Sequence, residues 1–204
     1  MMNLSFLDSL KSIKVILASG SPRRSEILSK LGVEFTVQVS DFPENLSKDL
    51  PPKDYVLQTA RGKIEDVYSK NAESDSLIIA ADTIVVLDSK ILEKPNSTSA
   101  ALAMLTELNG KSHLVLTALV LYYTKNGILR KEETVEETVV EFGDNLAELL
   151  SSYVTTLEPM DKAGGYGYQG MGAFLVKRIE GDYYNVVGFP AFAFLNLLIK
   201  AIGA

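Results

Sequence analysis

The chain has 204 residues, of which 47% are hydrophobic, and a formal net charge of −6. This length fits one compact domain over residues 1–204, and the negative charge, without a long run of lysine or arginine, argues against a nucleic acid polymer as partner. The absence of cysteine and the single histidine exclude disulfides, thiolate metal sites and multi-histidine zinc sites, so any metal must be bound by oxygen.

The N-terminal segment lacks the basic region of a secretory signal, and no apolar run reaches the roughly 18 residues needed to span a bilayer. The apolar residues 191–204 are too short and contain Lys200, so they predict a buried final helix. We therefore expect a cytoplasmic protein without a membrane partner.

The first predicted elements are a strand at residues 14–18 and a helix that follows a short loop. Ser21 can cap this helix, Pro22 suits its first position and Gly32 suits its exit. The next elements are a strand at residues 33–39 and a loop with three prolines at residues 40–52.

Hydrophobic periodicity and turn signals predict the remaining elements. They are helices at 53–70, 98–108 and near 145–155, strands at 77–87 and 113–123, a return strand from an Asn126-Gly127 turn to about 141, a glycine-rich segment at 164–172, two short strands and the final helix. The acidic residues 132–141 resemble a disordered tail, but their threonine and valine content favours a strand. The interleaved order predicts an α/β fold with a mixed sheet.

Residues 19–24 place serines and two arginines at the start of a helix. Arginine there opposes the helix dipole unless an anion binds, and free N–H groups, serine hydroxyls and guanidinium groups together suit a phosphate. Ser19, Ser21, Arg23 and Arg24 are therefore candidate substrate-binding residues. A solvated helix end with arginines paired to nearby carboxylates is the alternative interpretation.

Asp82 is a lone carboxylate inside an apolar strand. Burying it without compensation costs several kcal/mol, so we expect it at the strand end, facing a cleft, a metal or a cation. Thr83 adds a second polar group where packing requires none, which favours a functional site. An aspartate that caps a turn is the alternative.

Three further features carry weaker signals. Lys94 precedes Pro95, which favours an extended backbone, yet it could be an ordinary surface lysine. The glycine-rich residues 158–170 permit close approach to a ligand, and Gln169 offers an amide to a base edge, yet a plain surface loop fits equally well. His113 is interpreted as a structural residue rather than a general base.

These pieces in this order resemble the Maf family of nucleotide pyrophosphatases, also called septum formation inhibitors, which share the ITPase-like fold of two lobes around a cleft. The resemblance covers nearly the whole chain. It rests on LASGSPRRSEIL at 17–28, Glu44, ARGK at 60–63, ADTIVV at 81–86, LEKP at 92–95, LNGKSH at 108–113, EPMDKAGGYGYQG at 158–170 and YNVVGFP at 184–190.

The resemblance implies a catalytic, phosphate-binding or metal-binding role for several residues. Asp82 would accept the proton of the attacking water, Lys63 and Lys94 would contact the triphosphate, and Arg24 would hold phosphate. Glu44 and Asp82 would lie around a divalent cation, Mg²⁺ or Mn²⁺. The implied activity is hydrolysis of a nucleoside triphosphate to the monophosphate and pyrophosphate, and a homodimer is a candidate assembly.

The subfamily that acts on dTTP and UTP has matching residues at Arg23, Thr83 and Gln169. A sister group that acts on 7-methyl-GTP usually differs after the signature proline and has glutamate in place of the glutamine, so this sequence resembles the pyrimidine group. The alternatives are a 7-methyl-GTP pyrophosphatase and a nucleotide-binding regulator of cell division with little catalysis. Departures at residues 117–119 and 165–166 leave the proposed catalytic positions intact.

Overall fold

The computed structural model describes residues 10–71 and 75–203, and within these ranges strands and helices interleave. The strands are β1 (Lys14–Leu17), β2 (Thr36–Val37), β3 (Ser76–Leu87), β4 (Lys90–Leu92), β5 (Ser112–Lys125), β6 (Ile128–Phe142) and β7 (Val176–Glu180). The helices are α1 (Pro22–Lys30), α2 (Pro52–Ser69), α3 (Thr98–Leu108), α4 (Ala147–Thr155), α5 (Tyr183–Val187) and α6 (Ala191–Ile202). Among these helices, none is long and apolar enough to cross a membrane.

The strands form one mixed sheet in the order β2-β1-β3-β5-β6-β7, with β4 paired to β3. β1 runs parallel to β2 and β3, whereas the pairs β3–β4, β3–β5, β5–β6 and β6–β7 are antiparallel. The predicted α/β class with a mixed sheet flanked by helices is therefore confirmed.

Helices cover both faces of the central strands, which explains why β3 and β5 are almost continuously apolar. Alternate residues of β3 enter different cores: Leu77 and Ile79 pack with α1 and α6, whereas Ile78 and Ala80 pack with α2. This alternation places Asp82 on the face of α2 and Thr83 on the opposite face.

The sheet has a gap along one edge of β3. β1 ends at Leu17, opposite Ile79, and β4 pairs with β3 only from Val85 onward. Residues 81–84 therefore lack a strand on that side. Asp82 lies within β3 rather than at its end, contrary to the sequence-based expectation, and this gap is what gives its side chain access to a cleft.

Several local predictions require correction. The strand expected at 33–39 is only Thr36–Val37. β4 was not predicted, because its hairpin turn uses the left-handed residues Asp88 and Ser89 instead of an Asn-Gly or Asp-Gly pair. The two short strands expected before α6 are the single strand β7 followed by α5.

Candidate active site

The gap in the sheet opens into a cleft of about 380 Å³, a volume within the usual range for small-molecule sites. All ten residues proposed from the sequence as site residues line it. The charged lining consists of Arg23, Arg24, Lys63, Lys94 and Lys162 with Glu44, Asp82 and Asp161. This excess of cations in a protein of net charge −6 suits a polyanionic ligand.

Asp82 and Lys63 form the best-buried ion pair of the cleft. Lys63 Nζ lies 2.7 Å from Asp82 Oδ1 and 3.1 Å from Glu44 Oε1. The side chains of Lys63 and Asp82 are 12% and 11% exposed, whereas that of Glu44 is 48% exposed. One ammonium group thus joins a buried carboxylate of the sheet to a carboxylate that reaches in from the surface.

The loop that carries Glu44 is fixed by an aromatic contact. The ring of Phe42 occupies the space beside Gly62, where a Cβ would approach it to 2.4 Å. Because Gly62 precedes Lys63 on α2, this contact holds the loop against the turn of α2 that presents the ammonium group. A larger residue at position 62 would displace the loop and Glu44 with it.

Burial raises the pKa of the Asp82 carboxyl above its ordinary value, and attraction from Lys63 and Arg24 offsets only part of that effect. A carboxylate with a raised pKa is a stronger base than a solvated one. The buried position of Asp82 therefore suits proton abstraction, and structural ion pairing with Lys63 alone does not require such burial.

The oxygen donors at this point fit a divalent cation shared with a phosphate ligand. Glu44 and Asp82 each use one carboxylate oxygen for Lys63, and the described residues offer no partner to the second oxygen. Mg²⁺ is commonly held by one or two carboxylates together with substrate phosphates. Among the described residues there is no group of three or more His, Cys, Asp or Glu side chains suited to a metal, so substrate and water would complete the coordination.

Arg24 is buried and connects three segments of the chain. Nε donates to Gly188 O at 2.9 Å, Nη1 to Ala81 O at 2.8 Å and to Ser19 Oγ at 2.9 Å, and Nη2 to Thr83 Oγ1 at 3.1 Å. Four of the five guanidinium N–H groups are thus occupied. One of the acceptors, Ala81 O, belongs to the β3 edge that lacks a neighbouring strand.

Thr83 supports Arg24 instead of pointing a free hydroxyl into the cleft. Its Oγ1 accepts from Arg24 and lies 3.0 Å from Thr117 Oγ1, which in turn donates to Asn185 O at 3.2 Å. Since Thr117 donates its only proton to Asn185, Thr83 donates to Thr117. The predicted contact of Thr83 with substrate is therefore not favoured by this geometry.

The two serines of the loop, Ser19 and Ser21, differ in their hydrogen bonds. Ser19 Oγ accepts from Arg24 and from Ser21 N, so its own proton has no acceptor among the described residues and is available to a ligand. Ser21 stands at the N-cap position of α1 as predicted, but its side chain makes no capping hydrogen bond. Both serines line the cleft next to the first turn of α1.

Arg23 reaches across the cleft, unlike its neighbour Arg24. Its Nη1 lies 2.8 Å from Asp161 Oδ2 and its Nη2 donates to Asp161 O at 3.1 Å. Lys94 lines the cleft and forms no hydrogen bond or ion pair with the described residues. Its backbone is tied to the glycine-rich segment through Glu93 O, which accepts from Gly164 N at 3.1 Å.

Residues 158–172 form the cleft wall opposite α1. Glu158 organises this segment, because its carboxylate accepts from Tyr153 OH, Met171 N and Gly172 N at 3.0 to 3.3 Å. Gln169 is exposed and lines the cleft. This position is compatible with contact to a base, which stays a prediction.

His113 is a structural residue, as the sequence indicated. Its Nε2 is 2.8 Å from Tyr166 OH, and its ring packs edge-on against Tyr166 and Phe142. Burial lowers the pKa of His113 to about 4, so the ring is neutral at pH 7. It ties the wall at residues 158–172 to the start of β5.

Lys162 and Asp161 also line the cleft, although the sequence did not single them out. They lie in a stretch of mixed charges that a surface loop would equally contain. Their position directly before the glycine-rich residues 164–167 is the signal that could have identified them. The roles of the ten predicted residues stay predictions.

This chain is similar to several known proteins. A family model described as "Maf-like protein" matches residues 14–201. A protein of Halalkalibacterium halodurans named "dTTP/UTP pyrophosphatase" is 47% identical over 86% of this chain and 90% of its own length. A human protein named "Probable bifunctional dTTP/UTP pyrophosphatase/methyltransferase protein" is 44% identical over 92% of this chain, which spans only 32% of that relative. A crystal structure of the Vibrio cholerae protein VC0702 aligns with TM-score 0.40 and 10% identity, covering 90% of this chain and 96% of that one.

Proposed function

The chain belongs to the Maf-like protein family, and from this membership we propose that it hydrolyses dTTP and UTP to the monophosphate and pyrophosphate in the cleft beside Asp82. The observation that carries the proposal is the buried Asp82 carboxylate paired with Lys63 inside a cleft of excess positive charge. The names of relatives at 44% and 47% identity support the same substrates.

Asp82 is the general base of this proposal. It accepts a proton from the water whose oxygen forms a bond to the α-phosphorus, while the bond from that phosphorus to the bridging oxygen breaks and pyrophosphate leaves. The raised pKa that burial gives Asp82 favours this transfer. Lys63 holds the carboxylate in place at 2.7 Å and faces the same cleft.

The cations of the cleft stabilise charge on the leaving pyrophosphate. Lys94 is best placed among them, because its ammonium group has no partner in the described residues and binding costs it no existing ion pair. Ser19 adds a hydroxyl proton. A divalent cation, Mg²⁺ or Mn²⁺, held by Glu44 and Asp82 with phosphate oxygens would neutralise part of the substrate charge when bound.

For Arg24 we propose a role that differs from the phosphate contact implied by the family resemblance. Four of its N–H groups form hydrogen bonds within the protein, and these bonds fix the positions of Ser19, β3 and Gly188 relative to one another. A single N–H remains for phosphate, so bidentate phosphate recognition by Arg24 requires the loss of an internal bond. We therefore propose that Arg24 acts mainly as a positioning residue.

The test is pyrophosphate release from a panel of nucleoside triphosphates with Mg²⁺, with Mn²⁺ and without metal, using the parent protein and Asp82→Asn. We expect metal-dependent release, fastest with UTP and dTTP, and a loss of about 10³-fold or more in the variant. Asp88→Asn is the matched control, because Asp88 is exposed in the β3–β4 turn and asparagine tolerates its left-handed backbone.

The possible results separate the alternatives. Near-normal turnover by Asp82→Asn would remove Asp82 from the role of base. If no triphosphate yields pyrophosphate under any metal condition, the chain is a nucleotide-binding regulator and the proposed catalysis is wrong. Preference for 7-methyl-GTP over UTP would assign it to the sister group.

A further inference from the structure

A carboxylate of the protein lies between two cations that face the cleft. Asp161 Oδ2 is 2.8 Å from Arg23 Nη1, and Asp161 Oδ1 is 2.6 Å from Lys162 Nζ. All three residues line the cleft. The two cations come from opposite walls, since Arg23 lies in the first turn of α1 and Lys162 directly precedes the glycine-rich residues 164–167.

The side chain of Lys162 is held by close packing against Gly167 and by a main-chain hydrogen bond. A Cβ on Gly167 would approach Lys162 Cε to 2.4 Å, so the aliphatic part of Lys162 lies directly against this glycine. Lys162 Nζ also donates to Glu158 O at 2.6 Å. The side chain is 16% exposed, whereas that of Asp161 is 57% exposed. The cation is thus fixed within the wall, and the carboxylate is the solvated partner.

We propose that Arg23 and Lys162 form a phosphate-binding pair of the active site, and that Asp161 competes with the phosphates of the substrate and of the pyrophosphate product for this pair. The proposal rests on the proposed function. It adds Lys162 to the substrate-binding residues. Asp161, in contrast, weakens phosphate binding because it occupies the same two cations.

Charge and geometry both favour replacement of the Asp161 carboxylate by a phosphate group. Arg23, Lys162 and Asp161 together carry one net positive charge. When the Asp161 carboxylate moves away, two unpaired cations face the incoming anion. A phosphate group offers more charge and more oxygens than a carboxylate, and guanidinium groups bind it well. Because Asp161 is more than half exposed, water can solvate it when it is displaced. After hydrolysis, Asp161 competes with the pyrophosphate product for Arg23 and Lys162, and this competition favours release of pyrophosphate.

The experiment measures binding of inorganic pyrophosphate by titration calorimetry, and kcat and KM for UTP, with the full chain. The variants are Asp161→Asn and Lys162→Gln, with Lys162→Arg as the charge-conserving variant. Lys177→Gln is the control, because Lys177 is an exposed lysine of β7 that pairs with Glu141 of β6 and does not line the cleft.

Asp161→Asn is expected to tighten pyrophosphate binding about fivefold, the effect of removing one exposed ion pair, and to lower KM for UTP without raising kcat. Lys162→Gln is expected to weaken pyrophosphate binding about tenfold, the loss of one charge-assisted hydrogen bond, with partial recovery in Lys162→Arg. Lys177→Gln should match the parent protein.

Weaker or unchanged pyrophosphate binding by Asp161→Asn would overturn the proposal, because Asp161 would then only orient Arg23. Unchanged binding by Lys162→Gln would remove Lys162 from the pair. Failure of the proposed function is distinguishable from both results: a protein that binds pyrophosphate with this variant pattern but releases none from UTP retains the phosphate-binding pair and loses the pyrophosphatase assignment.

Discussion

The two walls of the cleft are built differently. We call residues 18–24 the arginine wall and residues 158–172 the glycine wall. The arginine wall is fixed from inside by Arg24, whose bonds to main-chain carbonyls are buried. The glycine wall is held by the exposed carboxylate of Asp161 and by the Glu158 carboxylate at its loop, with the neutral pair His113 and Tyr166 as its buried anchor.

This difference separates two requirements of one site. The proposed attack by water depends on sub-ångström placement of the reacting groups. The Asp82 carboxylate lies beside the arginine wall, which the buried hydrogen bonds of Arg24 hold in place. Recognition of alternative nucleotides tolerates adjustment, and Gln169 lies on the glycine wall with its side chain exposed. Substitution of Arg24 should therefore affect folding and rate together, whereas substitution of Gln169 should mainly affect ligand preference.

The largest effect on stability is expected from Arg24→Met. The substitution leaves Gly188 O and Ala81 O without donors in a buried region, which costs about 4 kcal/mol of the free energy of unfolding and lowers Tm by roughly 10 °C. Pyrophosphate release should fall at least 100-fold, because Ser19 and β3 lose their common support. Thermal unfolding and single-turnover rates check both expectations.

Arg23→Met is the matched control for that comparison. Its ion pair with Asp161 is partly exposed, so the free energy of unfolding should change by less than about 1 kcal/mol. Equal destabilisation by the two substitutions would mean that the two walls are anchored alike, and the distinction between them would be wrong.

The second prediction concerns the buried anchor of the glycine wall. The pKa of His113 is lowered to about 4 in the folded state, so protonation is opposed there and allowed in the unfolded chain. The stabilising contribution is complete above pH 6.5 and is lost as pH falls from 6.5 to about 4. At pH 5 the loss is about 2 kcal/mol, measurable by urea unfolding between pH 7.5 and 5.

His113→Gln isolates this contribution. Glutamine keeps a hydrogen-bonding group for Tyr166 OH but does not titrate in this range. The difference in unfolding free energy between variant and parent should therefore shrink as pH falls from 7.5 to 5. A constant difference would show that other groups cause the acid sensitivity.

The sequence predicted which residues line the cleft, whereas it could not show which hydrogen bonds each of them forms there. Asp82 stood out because a carboxylate in a strand buried on both faces needs a reason, and the reason is the gap between β1 and β4. The internal hydrogen bonds of Arg24 could not be predicted, because nothing in the sequence shows that Ala81 O and Gly188 O converge on the guanidinium group. Lys162 was missed because its environment depends on Gly167, which only the folded loop brings against it.

Local predictions failed where a backbone conformation lacked its usual residue. The Asp88-Ser89 turn is left-handed at both residues without glycine, so β4 had no turn signal. Residues 181–190 contain tyrosines and valines that favour strands, but Asp182 accepts from Tyr184 N and caps α5. In the first segment a left-handed turn without glycine, and in the second a capping aspartate, determined the structure against the local residue preferences.

The smallest effect, and the sharpest test of the glycine wall, is expected from Gln169→Glu. The amide can both donate to and accept from the edge of a pyrimidine, whereas a carboxylate only accepts and adds negative charge near the substrate. Because Gln169 is exposed, the preference for UTP and dTTP over purine nucleotides should fall by about tenfold or less, through kcat/KM, with Tm unchanged. Gln58→Glu, at an exposed position of α2 outside the cleft, should leave this preference unaltered. An unchanged substrate profile in Gln169→Glu would place base recognition elsewhere.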